Sequence, residues 1–417
     1  MGRNIYGKVY AFQHKQSRKI KVVKELQKDI ILEKKAVDEL LKSRKLLSQL
    51  QDCCFVVRLY AAVQDPNTLQ LLLDYKEGGE LAFHMKNHHF TEEEIKSILS
   101  HLILSLDDIH HVGVIYREVK PENILLDTEG FAYFTNFYKS FTFKDLSKPD
   151  FFDPPSHIYH PDPSAKNSSS FHLIDTNPTK EVYGTIPYIA PEVLIGGPHN
   201  EKVDWWGLGV LAYTLLYKEY PWNIPEKVLK EHSYHWLHDE ILKSEIKFHQ
   251  ETSKSFKDLV KGLLTLDPEK RFSIKEIKSH SFFGNYNWEL IREKKIPPHY
   301  RPVLDGAQFT KQNHTPLPKK QISVEDQKLF NGWDWINPRY PKGVTPQEED
   351  IIYFQNTQDF PMGLQLYQSD LSGRRGKVVF SLKDIPEKTL FSTERGTTLE
   401  KISAYMLLVD NEEVILK

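Results

Sequence analysis

Cysteine is scarce in this chain of 417 residues, in which only Cys53 and Cys54 are present. Adjacent cysteines cannot readily bridge each other, and two neighbouring thiols lack the ligand spacing of a structural zinc site. The scarcity excludes a fold held together by disulfides. The reducing cytoplasm is therefore the expected compartment, with the nucleus as an alternative.

Long apolar runs and an excess of charge of one sign are also missing. No uninterrupted apolar stretch approaches the roughly 20 residues that span a bilayer, and the N-terminus lacks the pattern of a signal peptide. The 55 Lys and Arg residues nearly balance the 57 Asp and Glu residues, which argues against nucleic acid or an anionic membrane as a partner. We expect a monomer without a membrane span that binds a protein substrate or a protein partner.

Hydrophobic patterning divides the chain into four parts. Residues 1–77 alternate like strands around one helical stretch, 78–295 is mainly helical, 296–344 is Pro-rich and extended, and 345–417 contains strand-like pieces. A stretch without a period, at about 140–180, predicts a long mobile insertion. We therefore expect a β-rich N-terminal domain, a helical domain, a tail, and a small appendage whose role the sequence does not indicate.

Two local signals mark boundaries within this pattern. Gly78-Gly79 forms a hinge after the last N-terminal strand. Thr91 and Glu94 have the spacing of a capping box, which predicts the first turn of a helix. The two domains should therefore meet at the hinge and enclose a cleft.

Five short motifs occur in this order along the chain: Gly2–Val9, Val22–Lys24, Tyr116–Asn123, Ala190–Glu192 and Asp204–Gly207. Singly each is weak, but in this order they resemble a eukaryotic protein kinase domain over about residues 2–283. The resemblance implies an α+β, bilobal protein kinase fold, with a β-rich N-lobe and a helical C-lobe.

The C-terminal tail carries two further motifs. Phe309–Gln312 with Thr315-Pro316 resembles the turn motif of AGC-group serine/threonine kinases, and Phe330–Trp335 resembles their hydrophobic motif. Together with Asp74-Tyr75 and Gly78–Leu81, these motifs are most similar to the ribosomal-protein kinases of that group. The resemblance therefore implies an AGC-type C-terminal tail.

The resemblance also indicates four regulatory residues. Phe330 and Trp333 would dock as aromatic rings in a groove of the N-lobe. Asp334 and Glu181 match the phosphorylated residues of the hydrophobic motif and of the activation segment. A carboxylate carries one negative charge against nearly two for a phosphate, so these acids would hold the ordered state only in part. The alternative is that both are ordinary solvated acids.

The resemblance assigns a phosphotransfer site to residues of both lobes. Those that match the ATP site are Gly2, Gly7, Val9, Lys24, Leu73, Asp74, Tyr75, Glu80, Leu125 and Asn136. Those that match the catalytic loop are Glu118, Lys120 and Asn123, and those that match the metal ligands are Asn123 and Asn136. Phosphoryl transfer needs positioned phosphates, a lysine on them, a metal ion and an acidic group that orients the attacking hydroxyl. Glu192 and Arg271 match a structural ion pair of the C-lobe.

Two departures from the family pattern fall on the chemistry itself. Glu118 replaces an aspartate, and its extra methylene moves the carboxylate by about 1 Å, a misplacement that can cost roughly a hundredfold in rate. Asn136 replaces the metal-binding aspartate, and an amide is a poorer ligand for a hard cation than a carboxylate. Tyr138 replaces the glycine of the same motif, which removes backbone freedom. We therefore expect weak ATP binding and little use of magnesium.

Three more departures affect the residues that would bind the phosphates of ATP. The glutamate that should pair with Lys24 aligns with Ser43, and Glu39, one turn earlier, is an alternative partner. Asn4 replaces a glycine, so the backbone is obstructed from approaching a phosphate closely. The chain begins at the first glycine of this loop, which we interpret as a truncated gene model or a defective lid.

Three functions remain open. The first is a kinase-fold protein with weak or no phosphoryl transfer that acts as a signalling scaffold or an allosteric partner. The second is an active serine/threonine kinase that uses Lys24, Glu118, Lys120 and Asn123. The third is an interaction module with an empty cleft. The departures favour the first, because two penalties of about a hundredfold would lower a rate of about 1–100 per second by about four decades.

Overall fold

The computed structural model describes residues 3–4, 6–14, 20–142, 184–303 and 322–337, together with five short strands beyond residue 350. Gly2, Glu181 and most of the segment predicted as an insertion lie outside the described residues.

The chain divides into two compact units. The first consists of Met1–Ser48, Val57–Tyr75 and Phe309–Lys417, and the second consists of Gln49–Val56 and Lys76–Gln308. The hinge glycines Gly78 and Gly79 therefore lie in the second unit, close to its boundary with the first.

The helices of the described residues are α1 (Lys28–Glu33), α2 (Val37–Gln49), α3 (Leu81–Asn87), α4 (Glu92–His111), α5 (Pro191–Leu194), α6 (Lys202–Tyr217), α7 (Glu226–Glu231), α8 (Tyr234–Lys243), α9 (Lys254–Leu263), α10 (Ile274–Lys278), α11 (Trp288–Arg292) and α12 (Val324–Lys328). Short 3-10 turns lie at Leu50–Asp52 and Pro121–Asn123. The strands are β1 (Arg3–Asn4), β2 (Gly7–His14), β3 (Ile20–Gln27), β4 (Leu59–Gln64), β5 (Thr68–Asp74), β6 (Gly79–Glu80), β7 (Val114–Ile115), β8 (Ile124–Leu126), β9 (Ala132–Phe134), β10 (Phe141–Thr142), β11 (Trp335–Ile336), β12 (Ile352–Tyr353), β13 (Leu364–Gln368), β14 (Val378–Leu382), β15 (Leu407–Val409) and β16 (Glu412–Val414).

The first unit is built on a sheet whose strands follow the order β1-β2-β3-β5-β4-β11, and β12 also pairs with β2. The pairing of β2, β3, β5 and β4 is antiparallel. Its register sets Val9 opposite Lys24, and Lys24 opposite Leu71. Antiparallel pairing therefore places Val9 and Lys24, two of the residues predicted for the ATP site, side by side on neighbouring strands.

Two features of the first unit were not predicted from the sequence. Helix α1 spans only six residues, and its N-cap residue Gln27 makes no side-chain cap hydrogen bond. The tail was expected to be extended, but part of it forms α12, in which the side chain of Ser323 accepts a hydrogen bond from the backbone N–H of Asp326. The following strand, β11, pairs with β4.

The second unit is mainly helical and is organised around α4 and α6. The capping box predicted for α4 is confirmed, because Thr91 and Glu94 each accept the backbone N–H of the other. Helix α6 is apolar on almost all sides and nearly all its residues are buried, as expected for a helix in the centre of a core.

Among the described residues, no helix is both long enough and apolar enough to cross a membrane.

Two small antiparallel sheets complete the second unit. One has the strand order β6-β8-β9, and the other pairs β10 with β7. The first sets Glu80 directly opposite Leu125. The α+β class predicted from the sequence is confirmed, because one unit is built on a sheet and the other is mainly helical.

Candidate functional site

The loop at Tyr116–Asn123 is held in place by a buried carboxylate. Asp204, in the first turn of α6, is 1% exposed. Its two oxygens accept the backbone N–H groups of Tyr116, at 2.8 Å, and of Arg117, at 2.7 Å. The imidazole of His110 lies 2.7 Å from the same carboxylate. Arg117 has a positive φ of 63°, so Asp204 fixes a strained turn just before the predicted catalytic residues.

Glu118 and Lys120 form the polar centre of this loop. The Oε1 atom of Glu118 lies 3.6 Å from the ammonium group of Lys120. Lys120 donates a hydrogen bond to the hydroxyl of Thr185 at 2.8 Å. The loop therefore presents a carboxylate and an ammonium group together, as a phosphotransfer site requires.

Asn123 connects this centre to Asn136. The amide of Asn123 donates to the main-chain oxygen of Glu118 at 3.1 Å and to its Oε2 atom at 3.3 Å. The Nδ2 atom of Asn136 donates to the Oδ1 atom of Asn123 at 3.0 Å. Asn136 has a positive φ of 67°, a conformation that asparagine tolerates better than most residues. The structure therefore joins Glu118, Asn123 and Asn136 by hydrogen bonds, and Lys120 adjoins them through its ion pair with Glu118.

This arrangement suits a magnesium ion poorly. The two residues at the predicted metal positions are both neutral amides, whereas a hard cation prefers carboxylate oxygens. The oxygen that Asn123 would offer to a metal already accepts a hydrogen bond from Asn136. The amide hydrogen of Asn136 thus supplies the positive pole that a cation would otherwise bring to this oxygen.

Within the described ranges, no group of three or more His, Cys, Asp or Glu side chains is arranged to hold a metal ion.

In the first unit, Leu73, Asp74 and Tyr75 of the predicted ATP site lie at the end of β5. Leu73 is buried. The carboxylate of Asp74 accepts hydrogen bonds from Lys21 at 3.1 Å and from the hydroxyl of Tyr60 at 2.6 Å, and its backbone N–H donates to the carbonyl of Arg58. The main chain leading to Tyr75 is therefore fixed by Asp74 from both neighbouring strands.

Ser43 is the residue of α2 that aligns with the glutamate expected to pair with Lys24, and its side chain carries no charge. Ser43 is buried in α2, and its hydroxyl has no hydrogen-bond partner among the described residues. A buried serine cannot replace a carboxylate as the counter-ion of Lys24. The pairing of Lys24 with Glu39 stays a prediction.

The hydrophobic motif of the tail is packed into the first unit. The rings of Phe330 and Trp333 are fully buried. The indole N–H of Trp333 donates to the carbonyl of Val63 at 2.9 Å, and Arg44 donates to the carbonyl of Gly332. Strand β11 then continues the sheet beside β4. The tail is therefore held by two buried rings and by main-chain pairing.

Asp334 lies at the exposed rim of this packing. Its carboxylate accepts a hydrogen bond from the amide of Gln64 at 2.7 Å. Its negative charge also raises the pKa values of Lys28 and Arg44, although burial outweighs this effect and leaves the pKa of both groups below its ordinary value. The direct partner of Asp334 is thus a neutral amide, with two cations within electrostatic reach.

Lys28 is a buried cation beneath the tail. It is 1% exposed, and its ammonium group donates to the side-chain oxygens of Gln64 at 2.9 Å and Gln327 at 2.7 Å. The ammonium group also lies 5.0 Å from the centre of the ring of Phe330. Burial lowers the pKa of Lys28 from 10.5 to about 8, against the opposing charges of Asp65 and Asp334.

This buried lysine predicts a pH dependence of stability. Because the folded-state pKa is lowered, the folded protein binds fewer protons than the unfolded chain between about pH 8 and 10.5. The cost of the buried charge is therefore fully present below about pH 8 and is relieved as the pH rises through that window. We expect Lys28→Met to remove this rise in the free energy of unfolding, measured in urea at about pH 7 and about pH 10.

Lys34→Met provides the matched control, because Lys34 is an exposed lysine at the end of the same helix. It should leave the pH dependence of the parent unchanged. Parallel pH dependence in the parent and Lys28→Met would show that the buried ammonium group is not its source.

The predicted ion pair of Glu192 and Arg271 is present. The guanidinium of Arg271 is fully buried and forms a two-fold contact with Glu192, at 2.7 and 3.0 Å. It also donates to the main-chain oxygens of Thr265 and Lys202. These contacts tie α5 to the start of α6 and to the segment between α9 and α10, which makes the pair structural.

Four residues that support the site were not singled out from the sequence: His110, Thr185, Lys28 and Gln64. His110 and Thr185 act through partners 94 and 65 positions away, and no local pattern reports such contacts. Lys28 stands between the polar residues Gln27 and Asp29, so the local sequence does not mark it as a buried cation.

Comparison with known protein families matches residues 1–283 to the protein kinase domain. The chain therefore belongs to the protein kinase family, and its two units correspond to the fold expected from the resemblance. This family uses ATP and magnesium in general and has proteins as substrates.

The relatives place the chain among serine/threonine kinases. It is 30% identical to the serine/threonine-protein kinase YPK2/YKR2 of Saccharomyces cerevisiae over 81% of this chain and 46% of the yeast protein. It is 31% identical to the RAC family serine/threonine-protein kinase homolog of Dictyostelium discoideum, over 81% of this chain and 70% of that protein. It is 31% identical to Sgk1 of Xenopus tropicalis, over 73% of this chain and 66% of Sgk1. These similarities support the AGC group, although the chain spans only about half the length of the yeast relative.

Proposed function

We propose that this protein is a catalytically impaired serine/threonine kinase of the AGC group, in the ribosomal-protein kinase branch. It acts as a signalling scaffold or an allosteric partner of another protein. It binds ATP weakly, and magnesium contributes little to that binding. We further propose that it works as a monomer in the cytoplasm, with the nucleus as an alternative, and without nucleic acid.

The observation that carries this proposal is the hydrogen bond from Asn136 to Asn123. A kinase needs an anionic ligand at position 136 to hold the metal that neutralises the phosphates. The amide here brings no charge and points a donor at the second ligand. Glu118 adds a misplaced carboxylate, and penalties of about a hundredfold at two positions would leave little turnover.

The docked tail supports an allosteric role. Phe330 and Trp333 are buried in the first unit, and Asp334 accepts a hydrogen bond from Gln64. A carboxylate at position 334 and another at position 181 would hold the active-like shape in part and without an activating kinase. Such a shape is what a partner protein would recognise.

An active kinase is the second candidate, and one observation favours it. Glu118, Lys120 and Thr185 keep a connected polar arrangement, with the ammonium group of Lys120 at 3.6 Å from the carboxylate and 2.8 Å from the hydroxyl. The hydrogen bonds of Asp204 to the catalytic loop and the ion pair of Arg271 with Glu192 are also present. In this alternative Glu118 orients the substrate hydroxyl and Lys24 holds the phosphates.

A thermal-shift titration tests the nucleotide part of the proposal. We expect ATP to raise the melting temperature slightly, and by the same amount with EDTA as with magnesium chloride. Stabilisation follows the ratio of ligand concentration to Kd, so weak binding gives a small shift. A large increase that appears only with magnesium would contradict an impaired metal site.

Phosphorylation of a generic protein substrate separates the two candidates. We expect turnover to be about four decades below the roughly 1–100 per second of ordinary kinases. The matched control is Lys24→Met, which removes the predicted phosphate-binding lysine. Robust phosphorylation by the parent that is lost in Lys24→Met would establish the active kinase.

A further inference from the structure

A buried relay of two hydrogen bonds connects the segment after α11 to the hinge. Tyr300 is 8% exposed and His84 is 3% exposed. The hydroxyl of Tyr300 lies 2.8 Å from the Nδ1 atom of His84. The Nε2 atom of His84 lies 2.6 Å from the main-chain oxygen of Gly78. A carbonyl can only accept, so Nε2 carries the hydrogen, and in the neutral ring Nδ1 accepts from Tyr300.

The ring and the main chain of Tyr300 are both held in place. Its ring packs against the rings of His88 and Phe90, each with centroids 4.8 Å away. Its main-chain oxygen lies where a side chain at Gly130 would begin, since a Cβ added there would approach this oxygen to 1.8 Å. Gly130 also has a φ of +98°, which favours glycine. The segment around Tyr300 is therefore seated against the turn between β8 and β9.

Gly78 of the hinge packs against the end of β8 and against the turn between β8 and β9. A Cβ added at Gly78 would come within 2.6 Å of the oxygen of Leu126 and 2.8 Å of the oxygen of Asp127. The next residues form β6, which pairs with β8 and sets Glu80 opposite Leu125. The position of the Gly78 carbonyl thus determines how β6 meets β8.

We propose that Tyr300 is a positioning residue for the nucleotide site. Through the ring of His84 it holds the carbonyl of Gly78, and thereby the register of Glu80 against Leu125. The consequence for nucleotide binding rests on the proposed function, in which the protein binds ATP, and on the assignment of Glu80 and Leu125 to the ATP site by the family resemblance. The effect on the hinge does not depend on that function.

The experiment compares two variants of the full chain that each lose one buried tyrosine hydroxyl. Tyr300→Phe breaks the relay and keeps the ring. Tyr286→Phe is the matched control, because the hydroxyl of Tyr286 is buried and has no hydrogen-bond partner among the described residues. Three quantities are measured: hydrogen exchange of the peptide at 76–82, the ¹⁵N shifts of the His84 ring, and the Kd for ATP in EDTA.

We expect Tyr300→Phe to speed exchange at 76–82, to move the Nδ1 signal of His84, and to weaken ATP binding by about 5- to 10-fold, as loss of one buried hydrogen bond would. Tyr286→Phe should change none of these. Either equal exchange at 76–82 or an equal ATP Kd in the two variants would overturn the proposal, because a purely structural tyrosine predicts those results.

The two hypotheses can fail separately. If the parent binds no ATP, the nucleotide part of the proposed function fails, and exchange at 76–82 decides whether Tyr300 positions the hinge. If the parent binds ATP and Tyr300→Phe binds it as tightly as the control does, the positioning role fails while the proposed function stands.

Discussion

Replacing both Phe330 and Trp333 with alanine is expected to lower the melting temperature by about 6–12 °C. Each ring is fully buried, and truncating a buried Phe or Trp typically costs about 3–5 kcal/mol. We expect the tail of the double variant to detach, which limits the loss to the free energy of docking rather than the sum of two cavities. A loss of about 3 kcal/mol corresponds to the expected shift in a domain of this size.

Asp334→Ala is the control for this measurement. The carboxylate lies at an exposed rim and accepts one hydrogen bond from Gln64. Exposed contacts of this kind contribute only about 0–1 kcal/mol. The variant should therefore melt within a few degrees of the parent. If all three proteins gave the same melting curve, the tail would have to be a free segment that binds a partner.

Strong local patterns predicted the parts of the fold that depend on them. The helix that begins at Glu92 was identified from its capping box, because Thr91 and Glu94 stabilise the first turn through contacts three residues apart. The strand-like pattern of residues 1–77 likewise predicted strands in this part of the chain, where β3 and β5 lie.

Elements that form through tertiary packing were missed. Helix α1 is only six residues long and has no side-chain cap, so its local signal is weak. Helix α12 and strand β11 form where the rings of Phe330 and Trp333 are buried, and the partner of β11 is β4, more than 270 residues earlier. A short window of sequence contains no information about such a partner.

In the candidate site, too, short-range contacts were predicted from the sequence and long-range contacts were not. Glu118, Lys120 and Asn123 occupy one short loop, so their proximity followed from the motif. The hydrogen bond between Asn136 and Asn123 joins residues 13 positions apart, and the contact between Tyr300 and His84 spans 216 positions. The motif indicated that Asn136 was a poor ligand, but only the structure supplied the direction of its amide donor.

Because the amide of Asn136 donates to Asn123, the substitution Asn136→Asp is expected to have a large effect on stability. The carboxylate introduced at position 136 has no hydrogen to donate, so its oxygens would face the Oδ1 atom of the buried Asn123. Leaving such groups unpaired typically costs about 1–3 kcal/mol. Without divalent cations we therefore expect Asn136→Asp to melt about 2–12 °C below the parent.

Magnesium should reverse this loss in the variant and leave the parent unchanged. A cation between the new carboxylate and the oxygen of Asn123 would replace the missing donor, because both atoms are hard oxygen ligands. Asn136→Ala separates the two effects: it loses the donor but gains no ligand, so it should be destabilised and remain indifferent to magnesium. The measurement is thermal melting of the three proteins in EDTA and in millimolar magnesium chloride, without nucleotide.

A carboxylate at position 136 is not expected to restore phosphoryl transfer. In Asn136→Asp, Glu118 still carries its extra methylene and Tyr138 still occupies the glycine position, so phosphorylation of a protein substrate should stay within about tenfold of the parent. A magnesium-dependent melting temperature without turnover would locate the remaining defect at Glu118 and Tyr138. Equal stabilisation of the parent and the variant by magnesium would instead show that the amide pair already accommodates the cation, and Asn136 would then not be what impairs the metal site.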